Sequence, residues 1–283
     1  MLKKLLPIII IVISITSIFF SHNGQIRGVA EGNLVVYFLD IGQGDATLIR
    51  TPNGNDILID GGPDNTLIQK LGQYLPFYDR DIEIMILTHP DSDHVTGLVE
   101  VLRRYKVKKI LMTRVLSDSP SYLSFLEEVD KEKIKVEIIS QPEKVDFGGG
   151  VFFDIIYPLE SFAGKEVEST NNTSITGQLI YASTTVMLTG DLENEEDLVK
   201  RNLNLKSDIY HVGHHGSNNA NDLSFISAVD PQYAVISVGA DNRYGHPNFR
   251  TLKNLEITGA EVFRTDKLGD IIFYSDGRSF YQF

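Results

Sequence analysis

Hydrophobic residues occur along the chain in two patterns, as short continuous runs and at helical spacing. Short runs of Val, Ile, Leu and aromatic residues bounded by Gly, Pro, Asn or Asp predict strands, as in LVVYFL (Leu34–Leu39) and DILID (Asp56–Asp60). The segment TPNGND before the second of these runs is typical of a hairpin turn. Apolar residues at helical spacing predict helices, as at Val95–Tyr105 and Ser119–Lys131.

The same reasoning extends to the rest of the chain. Further strands are predicted at Ala46–Arg50, Ile82–Leu87, Lys109–Met112, Val136–Ser140, Val151–Tyr157, Gln178–Ala182, Thr185–Thr189, Ile209–Val212, Ala234–Val238, Glu261–Arg264 and Ile271–Tyr274. Further helices are predicted at Leu67–Leu75, Asn194–Asn202 and Asp222–Val229. No low-complexity linker interrupts this order, so we expect one mixed α/β domain over residues 31–283.

The first 30 residues have a different pattern. Lys3 and Lys4 precede the apolar run Leu5–Phe20, and a polar stretch follows it. A basic start followed by a short apolar segment predicts a secretory signal peptide. An uncleaved membrane anchor is the alternative, although the run is slightly short for a spanning helix. Either way, the positive-inside rule predicts an extracellular or surface-anchored location for residues 31–283.

Composition narrows the possible chemistry. The formal net charge of -12 argues against a protein whose whole surface binds nucleic acid, because phosphate binding needs basic patches. It does not exclude an anionic substrate, since bound divalent cations reverse the local field. The chain has no cysteine, which excludes disulfide partners, thiolate metal sites and cysteine nucleophiles.

Candidate metal ligands cluster in loops that follow predicted strands. The loop THPDSDH comes directly after the strand Ile82–Leu87 and supplies His89, Asp91, Asp93 and His94. Burying these groups without a cation would be costly, whereas an exposed polar loop is the alternative interpretation. Later strands are followed by TGD with Asp191, HVGHHGS with His211, His214 and His215, and NRYGHP with His246. Strand-end loops on one rim of an α/β sheet are common places for sites, so the pattern predicts a metal centre. His211 is expected to pack or to support a metal ligand from behind.

Six motifs, in this order along the chain, resemble the metallo-β-lactamase superfamily. They are FLDIGQGD (Phe38–Asp45), ILIDGG (Ile57–Gly62), THPDSDHVTGL, TGD, HHGS and YGHP. More narrowly, the chain from about residue 33 to 283 is similar to the C-terminal hydrolase-like domain of the ComEC family of DNA-uptake proteins. This resemblance implies a four-layer αββα sandwich with a site at one edge of its two sheets.

The resemblance also implies a set of metal ligands. The superfamily pattern HxHxDH is replaced here by His-Pro-Asp-Ser-Asp-His at residues 89–94. By position, His89 and Asp91 would bind one metal, Asp93 and His94 a second, and Asp191 would bridge them. His215, in preference to His214, would supply the remaining imidazole. A further histidine of the family is missing, and its region holds Asn171 and Asn172. The oxygen-rich set leaves two divalent ions, zinc or manganese, as the expected cofactors.

The implied mechanism is hydrolysis assisted by two metal ions. Such ions lower the pKa of a bridging water, and the resulting hydroxide attacks a phosphorus or carbonyl centre. Asp93 is expected to be catalytic as well as a ligand, and His214 or His246 to protonate the leaving oxygen. Two further pairs are expected around the site: Asp45 and Asp60, which would orient metal-bound histidines, and Asn242 and Tyr244, which would contact substrate or only shape their loop.

These observations favour a secreted or surface-anchored metal-dependent hydrolase. The resemblance to ComEC proteins favours a phosphodiesterase or nuclease, with DNA as its substrate. The acidic balance keeps two alternatives open, namely cell-wall phosphodiesters and phosphorylcholine esters. The missing histidine motivates a third, a non-catalytic binding module that keeps the fold.

Overall fold

The computed structural model describes residues 32–283. The predicted leader at residues 1–30 lies outside the described residues. Within residues 32–283, no helix is both long enough and apolar enough to cross a lipid bilayer.

Strands account for most of the regular structure in residues 32–283. In chain order they are β1 (Leu34–Phe38), β2 (Thr47–Arg50), β3 (Asp56–Ile59), β4 (Asp81–Ile82), β5 (Ile84–Leu87), β6 (Lys106–Val107), β7 (Lys109–Met112), β8 (Lys135–Ile138), β9 (Glu143–Gly148), β10 (Val151–Tyr157), β11 (Thr176–Tyr181), β12 (Thr184–Leu188), β13 (Ile209–His211), β14 (Tyr233–Ile236), β15 (Glu261–Arg264), β16 (Ile271–Ser275) and β17 (Phe280–Gln282). The helices are α1 (Thr66–Tyr74), α2 (Ser92–Arg104), α3 (Pro120–Glu132), α4 (Glu195–Lys200), α5 (Leu223–Val229), α6 (Phe249–Thr258) and α7 (Thr265–Leu268). Two short 3-10 turns, Asn171–Thr173 and Gly213–Gly216, complete the regular elements.

The strands of this described part form two large sheets. One has the order β17-β16-β1-β2-β3-β5-β7-β8, and the other has the order β15-β14-β13-β12-β11-β10-β9, while β4 pairs only with β6. In the first sheet β3, β5, β7 and β8 run parallel. In the second sheet β12, β13, β14 and β15 run parallel.

Three separate hydrophobic cores show how these sheets and helices stack. Successive side chains of a strand point to opposite faces, and β1 uses both faces. Val35 and Tyr37 pack towards helices α1 to α3, in a core that also contains Leu71, Leu98 and Phe125.

Residues Leu34, Val36 and Phe38 of the same strand pack in a second core, between the two sheets. A third core joins the second sheet to helices α4 to α6 and contains Leu198, Phe225 and Leu255. Three cores separate four layers, which confirms the predicted αββα sandwich.

Several elements are absent from the sequence prediction, and the longest of them are strand β9 and helix α6. Strand β9 has only two buried apolar residues, Val145 and Phe147, and lies at the edge of its sheet. Helix α6 buries Thr251, Asn254 and Leu255, two of which are polar. In both cases the apolar period is too weak to mark the element in the sequence. The short strands β4, β6 and β17 give even less pattern.

Candidate metal centre

The predicted site residues lie at one edge of the sandwich, where parallel strands of both sheets end. Because carboxyl ends of parallel strands share an edge, the loops that follow them meet in space. The first sheet contributes Asp60 after β3 and His89 after β5, and the second contributes Asp191 after β12 and His215 after β13. Helix α2, which begins in the THPDSDH loop, adds Asp93 and His94.

These side chains converge on one small volume. His89, His94 and Asp191 each offer one ligand atom, and these atoms all lie within 4.8 Å of one another. Asp93, His94 and His215 form a second such group. The Nε2 atom of His94 is 3.4 Å from Oδ1 of Asp191. The Nε2 atom of His215 is 3.3 Å from Oδ2 of Asp93 and 3.6 Å from Oδ2 of Asp191. Asp191 therefore lies between the two groups.

The donor atoms of this cluster fit a divalent cation. Nε2 of His89, Nε2 of His94 and Oδ1 of Asp191 are buried and have no hydrogen-bond partner. Leaving a buried polar group unsatisfied costs about 1–3 kcal/mol. Imidazole nitrogen and carboxylate oxygen are ligands of zinc and manganese. A cation at this position would satisfy all three atoms at once.

Asp91 lies at the border of the cluster. Its side chain is 39% exposed, and its Oδ2 atom is 3.9 Å from Nε2 of His89. Its Oδ1 atom accepts a hydrogen bond of 2.6 Å from the hydroxyl of Thr170. A role for Asp91 as a metal ligand therefore stays a prediction.

Asn171 and Asn172, in the region where the family resemblance would place a further histidine, have different contacts. Nδ2 of Asn171 is 3.5 Å from Nδ1 of His214, so this residue faces the site. The side-chain oxygen of Asn172 accepts hydrogen bonds from the backbone N–H groups of Glu193 and Asn194. Asn172 thus holds the loop that follows Asp191.

Asp60 orients His94. Its Oδ2 atom is 2.9 Å from Nδ1 of His94 and accepts a hydrogen bond of 2.7 Å from the hydroxyl of Thr88. The backbone N–H of Thr88 donates to Oδ1 of Asp60. With Nδ1 engaged in this way, His94 presents Nε2 to the cluster. Burial opposes protonation of His94, but the carboxylates of Asp191 and Asp60 raise its pKa well above the ordinary value.

Asp45 and a backbone carbonyl hold His215. Nδ1 of His215 is 3.1 Å from the carbonyl oxygen of Ser237 and 3.2 Å from Oδ1 of Asp45. The loop of Asp45 packs against the start of α2, where Asp45 N donates to the carbonyl oxygen of Asp93. A Cβ atom on Gly44 would collide with that same carbonyl oxygen, so only glycine permits the approach.

The turn that carries His214 and His215 has an unusual backbone. Both residues adopt left-handed conformations, with φ of 48° and 52°. Such a conformation costs about 1–2 kcal/mol for each non-glycine residue, so other contacts must hold it. The ring of His214 lies outside both ligand groups, with Nδ1 3.2 Å from Oε1 of Glu193 and Nε2 3.7 Å from Oδ2 of Asp191.

The NRYGHP loop borders the site on its solvent side. The His246 ring stacks on Tyr244 at 5.7 Å between centroids and meets His214 at 5.7 Å. Burial lowers the pKa of His246 to about 4, helped by the nearby His215 and His214. Asn242 accepts from the backbone N–H groups of Tyr244 and His246 and donates to the carbonyl oxygen of His246, so it shapes the loop.

Sequence reasoning missed several residues that support the centre. Ser174 Oγ is 3.3 Å from Nδ1 of His89 and accepts from the backbone N–H of Asp191. Thr88 links Asp60 to His89, whose Nδ1 lies 3.0 Å from the Thr88 hydroxyl. Of these two residues, only Thr88 has a feature in the sequence that could have indicated its role, because it lies at a strand end next to His89. His211, which was expected to pack, contacts Phe38 at 5.0 Å between ring centroids.

Comparisons with known proteins identify the family of the chain. A family model described as Metallo-beta-lactamase superfamily matches residues 39–240. The chain is 29% identical to ComE operon protein 3 of Bacillus subtilis (strain 168) in a 255-residue alignment that covers 83% of this chain and 32% of that protein. It is also 29% identical to Competence protein ComA of Neisseria gonorrhoeae, over 87% of this chain and 33% of that protein. The chain thus spans about a third of the length of these curated relatives.

Two solved structures have a similar fold. CmlA, a diiron beta-hydroxylase from Streptomyces venezuelae, aligns with a TM-score of 0.53 and 14% identity over 82% of this chain and 52% of that chain. Zn(2+)-bound PqqB from Methylobacterium extorquens aligns with a TM-score of 0.51 and 14% identity over 78% of this chain and 85% of that chain. At this identity the likeness establishes the fold alone.

Proposed function

The chain belongs to the metallo-beta-lactamase superfamily of metal-dependent hydrolases, and we propose that it cleaves phosphodiester bonds. One observation carries the hydrolytic part of this proposal. Buried, unpartnered atoms of His89, His94 and Asp191 converge at the edge of the two sheets, together with Asp93 and His215. A loop site that only packed, or only faced solvent, would not leave these atoms both buried and unsatisfied.

When bound, two divalent cations would supply Lewis-acid activation of a water molecule and of a phosphoryl oxygen. The residues of the chain would orient the metal ligands and provide the proton for the leaving oxygen. Asp60 and Asp45 fix the rings of His94 and His215, so that each presents Nε2 to the centre. His214 lies beside Asp191 and Glu193 at the border of the centre, and this position supports its proposed role as the proton donor to the leaving oxygen. The pKa of His246, lowered to about 4 chiefly by burial, leaves that ring without a proton to donate at neutral pH.

The proposed substrate is DNA or another polymer of phosphodiesters. Similarity to two competence proteins supports this choice. The net charge of -12 does not oppose it, because two cations at the centre would attract a phosphate locally. The basic start and apolar run of the leader support a proposed location outside the cytoplasm, either secreted or held by a membrane anchor.

A second candidate substrate, a phosphorylcholine ester, is favoured by a groove that has Asn172 in its wall and a volume of ≈ 510 Å³. Its other lining residues include the carboxylates Glu160, Glu168 and Asp197 and the ring of Phe162. Lys165 pairs with Glu160 and Lys200 with Asp197, so the carboxylate of Glu168 and the aromatic ring carry this suggestion. Carboxylates and an aromatic ring suit a quaternary ammonium group and disfavour a second phosphate.

Metal analysis and substrate comparison on the full-length chain test this proposal. The substrates are bis(p-nitrophenyl) phosphate, single- and double-stranded DNA, p-nitrophenyl phosphorylcholine and a β-lactam. We expect bound zinc or manganese and metal-dependent cleavage of the phosphodiester and DNA, lost in Asp191→Asn and kept in the matched surface variant Asp64→Asn. Preference for the choline ester would favour the second candidate. Absence of bound metal, or equal activity in Asp191→Asn and wild type, would refute the proposed function.

A further inference from the structure

A buried polar network lies directly beneath the turn that carries His214 and His215. Its members are Glu195 at the start of α4, Tyr210 in β13, and Asn221 ahead of α5. Their exposures are 1%, 0% and 0%, so bulk water does not reach these groups. Each polar atom must therefore be satisfied by the protein, and the network's geometry is determined by its partners.

Tyr210 and Asn221 bind both ends of the turn. The backbone N–H of Gly213 donates to the Tyr210 hydroxyl at 3.2 Å, and that hydroxyl is 2.7 Å from Oδ1 of Asn221. Nδ2 of Asn221 donates to the carbonyl oxygens of Gly213 at 2.9 Å and Ser217 at 3.3 Å. These bonds enclose the two left-handed histidines between residues that are each bonded to Asn221.

Glu195 completes the network. Its Oε2 atom accepts from the backbone N–H groups of Asn221 at 2.7 Å and Asp222 at 3.2 Å. Its Oε1 atom is 3.1 Å from the Tyr210 hydroxyl. That hydroxyl has one proton, and the shorter contact directs it to Asn221, so the remaining contact requires a proton on Glu195. Burial favours this protonated form. It raises the pKa of Glu195 to about 8, although the N–H groups of Asp222 and Asn221 act in the opposite direction.

We propose that Glu195, Tyr210 and Asn221 are positioning residues, which hold His214 and His215 in the conformation that lets His215 bind metal. The inference rests on the proposed function, because it takes His215 as a ligand. Its physical basis is that two successive non-glycine residues in the left-handed region need bonds that a relaxed turn would not make. Loss of those bonds frees the turn and moves Nε2 of His215 away from Asp93 and Asp191.

Single-group variants of the full-length chain test the inference. Tyr210→Phe removes only the hydroxyl, and Glu195→Ala removes the carboxyl. Glu195→Gln is the rescue variant, since an amide can accept from the two backbone N–H groups and donate to Tyr210 as the protonated acid does. Thr184→Val is the matched control, because it removes a buried hydroxyl with partners at Tyr181 and Ser275, at the opposite end of β12 from the centre.

Two measurements separate positioning from general stability. One is the affinity for Mn²⁺ and Zn²⁺ at a temperature where every variant is folded. The other is the set of histidine ring NMR signals in the metal-free protein. We expect Tyr210→Phe and Glu195→Ala to weaken metal binding about 10- to 100-fold, the range found when groups that orient ligands are removed. Their histidine signals should shift, whereas Glu195→Gln and Thr184→Val should match the wild type in both measurements.

The outcomes distinguish this inference from the proposed function. If the wild type binds metal and hydrolyses its substrate, while Tyr210→Phe keeps wild-type affinity and histidine signals, the positioning role is wrong and the function stands. If Glu195→Gln is as impaired as Glu195→Ala, the inferred proton on Glu195 is wrong. If the wild type binds no metal, both proposals fail. If Glu195→Ala does not fold, Tyr210→Phe alone tests the positioning role.

Discussion

Replacing Asp60 with asparagine is the sharpest test of how the centre is held. Each group within hydrogen-bonding distance of this carboxylate can donate to it. Oδ1 accepts from the backbone N–H of Thr88, and Oδ2 accepts from the Thr88 hydroxyl and lies 2.9 Å from Nδ1 of His94. Asp60 is 1% exposed, so water cannot replace a lost partner. Its left-handed φ of 58° is one that asparagine also tolerates, which limits the backbone effect.

The magnitude follows from these contacts. An amide has one acceptor oxygen, so in either orientation its NH₂ group meets a donor on Thr88 or His94. One buried donor is then unsatisfied, at a cost of about 1–3 kcal/mol in the metal-free protein. Loss of the carboxylate behind a ligating histidine lowers metal affinity about 10–100-fold, which equals about 1.4–2.8 kcal/mol of binding free energy.

Both quantities are measurable in the same preparation. Urea unfolding of the metal-free protein gives the stability change, and competition with a chromophoric chelator gives the affinity for Mn²⁺ or Zn²⁺. Asp64→Asn is the matched control, since Asp64 is exposed and its side chain accepts only from the backbone N–H of Thr66. An Asp60→Asn variant with unchanged metal affinity would refute the reasoning that this carboxylate orients His94.

Three further predictions concern pH, packing and metal removal. The pKa of Glu195 is raised from 4.5 to about 8, so the stabilising effect of this carboxyl is complete below pH 4.5 and is lost as the pH rises through 8. In urea unfolding, the free energy of unfolding of the wild type should therefore fall over this pH range relative to that of Glu195→Gln. The same pH dependence in both proteins would contradict the prediction. Gly97→Ala should destabilise the fold by about 1–3 kcal/mol, because a Cβ atom there collides with the carbonyl oxygens of Gly61 and Asp64. Gly72 lies on α1 with open space around it, so Gly72→Ala should instead stabilise the fold by about 0.5–1 kcal/mol. Similar unfolding midpoints for the two variants would contradict the close contact inferred at Gly97. Chelation with EDTA should lower the melting temperature of the wild type but not of Asp191→Asn, and equal shifts would speak against a metal bound to the native state.

Local sequence pattern predicted individual strands well where they are buried, whereas the four-layer arrangement was predicted only from the family resemblance. The continuous apolar runs of β1 and β5 are visible without a structure. Pattern failed for β9 and α6, since an edge strand and a half-polar helix bury too few apolar side chains to generate a period. It also identified the strand-end histidines and carboxylates as candidate ligands, because so many such groups directly after buried strands are hard to explain otherwise.

The different positions of two adjacent histidines are visible only in three dimensions. The family resemblance favoured His215 over His214 as a ligand, and the left-handed turn directs Nε2 of His215 towards Asp93 and leaves His214 beside Glu193. Glu195 begins an acidic helix, and this sequence is typical of residues that face solvent. In the structure, however, Glu195 is buried under that turn.

The sequence by itself therefore determined the buried strands, most of the helices and the kinds of candidate ligand. Tertiary structure decided which ligands meet and what supports them. The physical reason is range. Propensity and hydrophobic period act over a few residues, whereas the distance between His94 and Asp191 depends on how two whole sheets pack through the core between them.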